Sequence, residues 1–247
     1  MNPAERPALS FIGVSKSFGP KQVLRDVSFD VFPGEALCVL GRSGTGKSVT
    51  LKLIMSLLKP DSGKIFIEED DITGLGTDEL SRVRRKIGFL FQDAALFDSL
   101  SLYENLALPL ARLTKKSPQE IDSIIDKMLR QVGLGDDKSK MPSKLSGGMR
   151  KRAGLARALV LEPKILLADE PSSGLDRITA AEIDELLIQQ KKERHTTVIV
   201  VTHDVHGARR VGDSFAVFDK GQLVARGTTD EVEHSANETA RKLISEY

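Results

Sequence analysis

The sequence predicts an α/β fold in which a mostly parallel β-sheet forms the core. Three short apolar runs, at 36–40, 165–168 and 197–202, are typical of strands that are buried on both faces. Helical patterns lie between these runs, and an alternation of strand and helix indicates parallel pairing. The 247 residues therefore predict one domain, 1–247, whose α/β core comprises 9–92 and 163–227.

The amino-terminal part of this core has its own pattern. Residues 9–32 alternate apolar and polar around a turn at Gly19 and Pro20. This pattern predicts short antiparallel strands, which would form an N-terminal antiparallel β-subdomain. After residue 50, apolar residues at helical spacing predict a helix. Pro60 and the turn residues that follow it would end that helix.

A helical subdomain is expected within 93–162, where no buried-strand run occurs. A capping box that begins at Ser117 predicts one helix. A second helix is expected to begin near Ser146. The core then resumes, 215–226 predict a hairpin, and 228–247 predict a polar C-terminal helix.

Composition limits the classes of function. Lysine and arginine total 36 against 35 acidic residues, so the net charge is +1 and no nucleic-acid binding is expected. Tryptophan is absent, and the single cysteine, Cys38, allows no disulfide within the chain, which fits a reducing cytoplasm. No apolar run approaches the roughly 18 to 20 residues that cross a bilayer, and no leader pattern is seen. A partner would therefore have to hold the chain at a membrane.

A phosphate-binding loop follows the first buried strand. It comprises Gly41, Arg42, Ser43, Gly44, Thr45, Gly46, Lys47 and Ser48. Glycines allow backbone N–H groups to surround phosphate oxygens, and the next helix adds its positive dipole end. Lys47 is expected to reach the β- and γ-phosphates of a nucleotide, and Ser48 to bind Mg²⁺. Val49 follows in place of a second hydroxyl residue, so one side-chain bond to phosphate is expected to be missing. The motif makes the predicted core that of a P-loop NTPase, which is RecA-like.

Two further motifs carry chemistry. The strand at 165–168 ends in Asp169 and Glu170, which beside a phosphate-binding loop form the expected pair of metal ligand and general base. A second glycine-rich helix start, at 145–149, contains a serine that can cap the helix. Because it would be a second anion site, and one chain cannot easily bring both sites to the same phosphate, it predicts two chains arranged head to tail.

The order of these motifs, with His203 after the apolar run 197–202, resembles that of ABC transporter ATPases from about Leu9 to Gly227. The resemblance implies ATP and Mg²⁺ as ligands, with Glu170, His203 and Lys47 as catalytic residues. It implies that Phe18 stacks on adenine beside Val23, and that Val49 belongs to the ATP site with the loop. It assigns Mg²⁺ to Ser48, Gln92 and Asp169. The residues that would act in trans, on ATP held by a second and identical chain, are Ser146, Gly147, Gly148, Met149 and Asp176.

Residues outside the chemistry resemble a narrower group, the lipid-transport ATPases of the bacterial Mla and Mce systems. Met149 stands where many relatives carry glutamine, and the segments at 90–97, 103–105 and 108–110 fit the same group. The resemblance implies phospholipid transport through a separate permease, with an MCE-domain protein as a further partner. The chain would then be cytoplasmic and peripheral on the inner membrane.

Other classes remain as alternatives. The chain could serve an ABC importer or exporter of another substrate, or act as a soluble ABC-type ATPase on DNA or ribosomes. It has one cassette, no heptad run and no basic stripe, which disfavours the second possibility. A GTPase or kinase would leave the segment at 145–149 unexplained, and the intact catalytic set disfavours a degenerate regulatory subunit. The basic run 150–152 is interpreted as a solvated helix face, and 68–71 as a polar turn.

Overall fold

A computed structural model describes residues 6–245, and confirms the predicted α/β class. Its strands, in chain order, are β1 Leu9–Phe18, β2 Lys21–Val31, β3 Ala36–Gly41, β4 Ser62–Ile67, β5 Asp70–Asp71, β6 Ile87–Leu90, β7 Ile165–Asp169, β8 Thr197–Val201, β9 Ser214–Asp219 and β10 Gln222–Gly227. Its α-helices are α1 Lys47–Ile54, α2 Thr77–Arg84, α3 Leu102–Leu113, α4 Pro118–Gln131, α5 Gly147–Leu159, α6 Arg177–Arg194, α7 Val205–Val211, α8 Thr229–Glu233 and α9 Glu238–Ser245. No helix of the described part is long and apolar enough to cross a membrane.

Two sheets organise these elements. The larger has the order β10-β9-β3-β8-β7-β6, and its pairs from β9 to β6 are parallel while β9 and β10 are antiparallel. The smaller has the order β2-β1-β4-β5 and is antiparallel. The β1–β2 hairpin turns at Gly19 and Pro20, and its strands of 10 and 11 residues are longer than predicted and contain bulges.

Strands β3, β6, β7 and β8 of the larger sheet are buried along their whole length, which explains their continuous apolar runs. In β3, Ala36, Cys38 and Leu40 face one hydrophobic core, and Leu37 and Val39 face the other. The first core packs against the helices α3 to α7, and the second against the antiparallel sheet and α1. Alternate side chains therefore hold the sheet between two layers and fix the positions at which its strands end.

Each α-helix between β6 and β7 begins directly after a serine that caps it. Ser101, Ser117 and Ser146 each accept a hydrogen bond from a backbone N–H in the first turn of α3, α4 and α5. The chain end differs from the prediction of one helix over 228–247. It forms two short helices, and the side chain of Asn237 accepts a hydrogen bond from the N–H of Ala240, which starts the second. Residues 1–5 and 246–247 of the predicted domain lie outside the described residues.

Candidate functional site

An open cavity of about 670 Å³ lies where the parallel strands β3, β7 and β8 end. In α/β sheets, functional groups collect at the carboxyl ends of the strands, because the loops that follow them meet there. The cavity is lined by Phe18, Lys21, Val23, Ser43, Gly44, Gly46, Lys47, Ser48, Val49, Gln92, Glu170, Ser173 and His203. The structure thus brings together eleven residues that the sequence predicted at one site.

The loop before α1 is curled. Gly46 precedes the helix with a φ of 105°, and among the described residues no side chain caps this helix. The ammonium group of Lys47 turns back and donates to the carbonyl oxygens of Gly41, at 2.7 Å, and Arg42, at 3.2 Å. Burial lowers the pKa of Lys47, and the nearby charges of Glu170 and Asp169 oppose this shift. A buried cation and an uncapped helix start make the loop a site for an anion.

An all-oxygen set of possible ligands stands beside the loop. The hydroxyl of Ser48 donates to Oδ1 of Asp169 at 3.0 Å, and the amide of Gln92 lines the same cavity. Burial raises the pKa of Asp169, whereas the hydrogen bond from Ser48 lowers it. Mg²⁺ prefers oxygen ligands, and a bound cation would compensate the buried carboxylate. These residues therefore fit the predicted metal ion.

The side chain of Glu170 is held by the two residues that follow β8. Its Oε2 atom lies 2.9 Å from Nδ1 of His203 and accepts a hydrogen bond from the hydroxyl of Thr202 at 3.2 Å. The backbone N–H of Glu170 donates to the carbonyl of Val201 at 2.8 Å. A carboxylate held in this way at the mouth of the cavity can accept a proton from a water molecule beside the phosphate loop.

The carbonyl oxygen of Glu170 accepts two further hydrogen bonds, from the ammonium group of Lys151 at 2.8 Å and from the N–H of Ser173 at 3.2 Å. The interpretation of 150–152 as a solvated helix face is therefore wrong for Lys151, which is only 7% exposed. Arg152 is half-buried and donates to the exposed Glu182 at 2.6 Å. Successive helical residues point about 100° apart, so a run of three charges cannot remain on one face.

The segment predicted to act in trans lies elsewhere on the chain. No residue of Ser146–Met149 is among the described residues that line the cavity, and neither is Asp176. The hydroxyl of Ser146 accepts a hydrogen bond from the N–H of Met149 at 3.2 Å and caps α5. Asp176 caps α6 through the N–H groups of Ile178 and Thr179. Both segments thus begin helices on the surface of this chain.

The amino-terminal sheet supplies one wall of the cavity. Phe18 ends β1 with 46% of its surface exposed, and Val23 follows in β2. Lys21, between them in sequence, also lines the cavity and was not predicted. Thr202 and Lys151 were missed as well. Only Thr202 had a signal in the sequence, since it directly precedes His203 at the end of a buried strand.

A larger cavity, of about 1020 Å³, lies at the opposite end of the sheet near the start of β7 and β8. Its charged groups pair with one another: Lys86 binds Glu68 and Asp70, and Lys164 also binds Glu68. The segment 68–71, interpreted as a polar turn, thus anchors lysines. The cavity with the phosphate loop, and not the larger one, holds the residues of the predicted chemistry.

Comparisons with known proteins identify the family. A family model described as "ABC transporter" matches residues 24–173. The probable ribonucleotide transport ATP-binding protein mkl of Mycobacterium leprae is 44% identical over 238 residues, covering 96% of this chain and 69% of the relative. The methionine import ATP-binding protein MetN of Caulobacter vibrioides is 37% identical over 241 residues, covering 96% and 72%. The mkl proteins of other mycobacteria are 65% covered, so the chain spans about two thirds of the length of these relatives.

A solved structure extends the comparison to the fold. The dimeric, post-hydrolysis state of the ATP-binding cassette MJ0796, bound to ADP and Pi, matches with a TM-score of 0.83 and 34% sequence identity. The match covers 89% of this chain and 98% of that chain. The family model, the relatives and the folded cassette agree, and the chain therefore belongs to the ABC transporter family as an ATPase that binds ATP with Mg²⁺ and hydrolyses it.

Proposed function

We propose that the chain is the ATP-hydrolysing subunit of a transporter that moves lipid, in particular phospholipid, through a separate membrane permease. Cassettes of this family form dimers and pair with permeases. In the proposed assembly, two identical chains lie head to tail. Each ATP then lies between the Gly41–Ser48 loop of one chain and the Ser146–Met149 segment of the other. The observation that carries this arrangement is the separation of these two segments on a single chain.

In this proposal the residues around the loop bind and orient the nucleotide. Phe18 stacks on adenine, with Val23 beside it. The backbone of the loop and Lys47 bind the β- and γ-phosphates, because Lys47 exchanges its bonds to carbonyl oxygens for stronger bonds to phosphate. Ser48, Asp169 and Gln92 would hold Mg²⁺, which supplies positive charge to the phosphate oxygens.

Hydrolysis then requires a positioned water molecule. The oxygen of this water forms a bond to the γ-phosphorus while Glu170 accepts one of the water protons. The bond between the γ-phosphorus and the bridging oxygen breaks, and that oxygen leaves with ADP. Lys47 and His203 stabilise the charge that develops on the phosphoryl oxygens. Nδ1 of His203 lies 2.9 Å from Oε2 of Glu170, and His203 lines the cavity in which the phosphates would lie.

The substitution Glu170→Gln tests the proposed base. The amide retains the shape of the side chain but accepts no proton, so we expect kcat to fall by about 10²- to 10⁴-fold. ATP should then hold the chain as a stable dimer, which size-exclusion chromatography with and without ATP would detect. The exposed Glu185, in α6, gives a matched control, Glu185→Gln. Turnover of the Glu170 variant at the wild-type rate would refute the assignment.

The lipid assignment rests on the resemblance of 90–97, 103–105 and 108–110 to the Mla and Mce group. Asn105, which belongs to the pattern of the Mla and Mce group, is buried. Its side chain accepts a hydrogen bond from the N–H of Phe97 and donates to the carbonyls of Phe97, Leu100 and Ser101. The network fixes a loop that presents Phe97 with 51% of its surface exposed. We propose that this apolar surface contacts the permease.

A second candidate is the transport of a small polar substrate. The names of similar proteins favour it, because the mycobacterial relative is named for probable ribonucleotide transport and the Caulobacter relative for methionine import. The ATP site does not distinguish these substrates from lipid, since nothing in the proposed hydrolysis depends on the transported molecule.

Purification from native membranes tests the substrate. The tagged chain would be isolated in mild detergent, and mass spectrometry would identify the proteins and lipids that accompany it. We expect an integral permease, an MCE-domain protein and bound phospholipid. A permease with a binding protein for amino acids or nucleotides would retain the transporter and refute the lipid assignment. Ribosomes or DNA-repair proteins in place of a permease would refute the transporter itself.

A further inference from the structure

Helix α5, which begins directly after Ser146, contacts several parts of the candidate site. Its first turn packs on the start of α6, where Gly148 lies against Thr179. Farther along, Gly154 packs against Ala94, two residues after Gln92. The guanidinium group of Arg157 also donates to the carbonyls of Ala94 and Ala95. Between these contacts, Lys151 bonds to Glu170.

Lys151 is the charged residue of this helix that reaches the proposed base. Its ammonium group is buried and donates to the carbonyl oxygen of Glu170 at 2.8 Å. Burial lowers the pKa of Lys151, and the negative charges of Asp93, Glu170 and Asp169 oppose this shift. Burying an ammonium group costs free energy unless hydrogen bonds and opposite charges compensate it. A lysine at this place therefore needs the acidic site, and the site receives a fixed cation behind its base.

The backbone of Glu170 explains what this cation holds. Glu170 has a φ of 48°, in the left-handed region that a non-glycine residue enters only with backbone strain. Its carbonyl oxygen is bonded by Lys151 and by the N–H of Ser173. These two bonds and the N–H bond to Val201 hold the backbone in the conformation that aims the carboxylate at His203 and the cavity.

We propose that Lys151 is a positioning residue for ATP hydrolysis, which fixes the backbone of Glu170 and makes the place of its carboxylate depend on helix α5. The inference rests on the proposed function, in which Glu170 is the base and Ser146 binds the ATP of the second chain. Lys151 lies five residues after Ser146, about 7.5 Å along the helix axis. Movement of the helix start on ATP binding therefore reaches the base in the same chain through a short rigid segment.

Substitution of Lys151 separates positioning from binding. Lys151→Met preserves most of the apolar side chain and removes the donor, and Lys151→Arg retains a cationic donor. A displacement of about 1 Å at a reacting group can lower a rate by about 10²-fold, so we expect kcat of the Met variant to fall by about 10- to 100-fold. KM for ATP should change little, because the residues proposed to bind ATP are intact. The Arg variant should recover part of the lost kcat.

The control and two further measurements make the test decisive. Lys127→Met removes an exposed lysine from the same helical region and should leave kcat unchanged. In a Glu170→Gln background, Lys151→Met should still form the dimer with ATP, and its melting temperature should remain near that of the parent. Wild-type kcat in Lys151→Met would overturn the proposal. Equal losses in the Met and Arg variants with a lowered melting temperature would also overturn it, since they indicate a purely structural role.

The result is distinguishable from a failure of the proposed function. If Glu170→Gln itself left turnover unchanged, the base assignment would be refuted. If Glu170→Gln abolished turnover while Lys151→Met hydrolysed ATP normally, only the positioning role would be refuted.

Discussion

The two glycine-rich helix starts of this cassette are built differently. Helix α1 begins after Gly46, whose φ is 105°, and no side chain of the described residues caps it. Helix α5 begins after Ser146, whose hydroxyl caps it, and Gly147 and Gly148 are the first residues of the helix itself. The first start lines a cavity together with residues of three strand ends, whereas the second is absent from the described lining of that cavity.

The glycines therefore serve two purposes. In the phosphate loop they allow a backbone conformation that surrounds an anion within one chain. In the Ser146–Met149 segment Gly148 allows close packing, because an added Cβ there would overlap Cγ2 of Thr179. A similar sequence composition thus produces an anion-binding loop within one chain in the first region. In the other it produces a capped, regular helix start on the surface, which is the segment proposed to contact a second chain.

We expect the greatest loss of activity when one residue is substituted at either glycine-rich helix start. Lys47→Ala should weaken ATP binding and lower hydrolysis by about 10²- to 10³-fold, since it removes the cation of the loop. Ser146→Arg should lower hydrolysis by a similar factor and leave ATP binding by a single chain intact. Fluorescent-nucleotide titration and phosphate release measure the two quantities. Lys59→Ala, at an exposed lysine, is the control. Normal hydrolysis by the Ser146 variant would mean that the second start is not part of an ATP site.

A smaller effect is expected within the phosphate loop. In Gly46→Ala, the Cβ atom would lie 2.9 Å from the carbonyl oxygen of Val23 and 2.6 Å from a methyl group of Leu24. At Gly44 the described residues leave open space, and only the positive φ disfavours alanine. We expect Gly46→Ala to lower the free energy of unfolding by about 1 to 3 kcal/mol more than Gly44→Ala, as overpacking does. Urea unfolding measures it, and equal losses would contradict the packing argument.

The smallest effect is expected at the start of α5. Gly148→Ala should lower the melting temperature, because Thr179 cannot turn away without losing the hydrogen bond from its hydroxyl to Asp176, at 2.7 Å. Adding Thr179→Ser removes the overlapping methyl group and retains the hydroxyl, so the double variant should recover stability. Gly147→Ala meets only Leu175, at an ordinary 3.6 Å, and is the control. A double variant no more stable than Gly148→Ala would show that the overlap is not the cause.

Much of the candidate site could be predicted because its motifs are contiguous. The loop from Gly41 to Ser48, the pair Asp169–Glu170 and His203 each follow a buried strand, and strand ends of a parallel sheet meet at one edge. The resemblance to ABC ATPases then added Phe18, Val23 and Gln92, which composition and periodicity did not indicate. All of these residues except Gly41, Arg42, Thr45 and Asp169 line the same cavity, and Asp169 bonds to Ser48 across 121 positions in sequence.

Residue spacing along the chain was enough to predict the fold class, the phosphate loop and the order of the motifs, because that spacing encodes strands, turns and helix starts. Packing in three dimensions buries Lys151 behind Glu170, adds Lys21 to the cavity wall, and divides the predicted last helix into α8 and α9. These features depend on which surfaces pack together. A charged run on a helix has the same sequence whether it faces water or an acidic site, and the difference arises only when the helix is placed against the sheet.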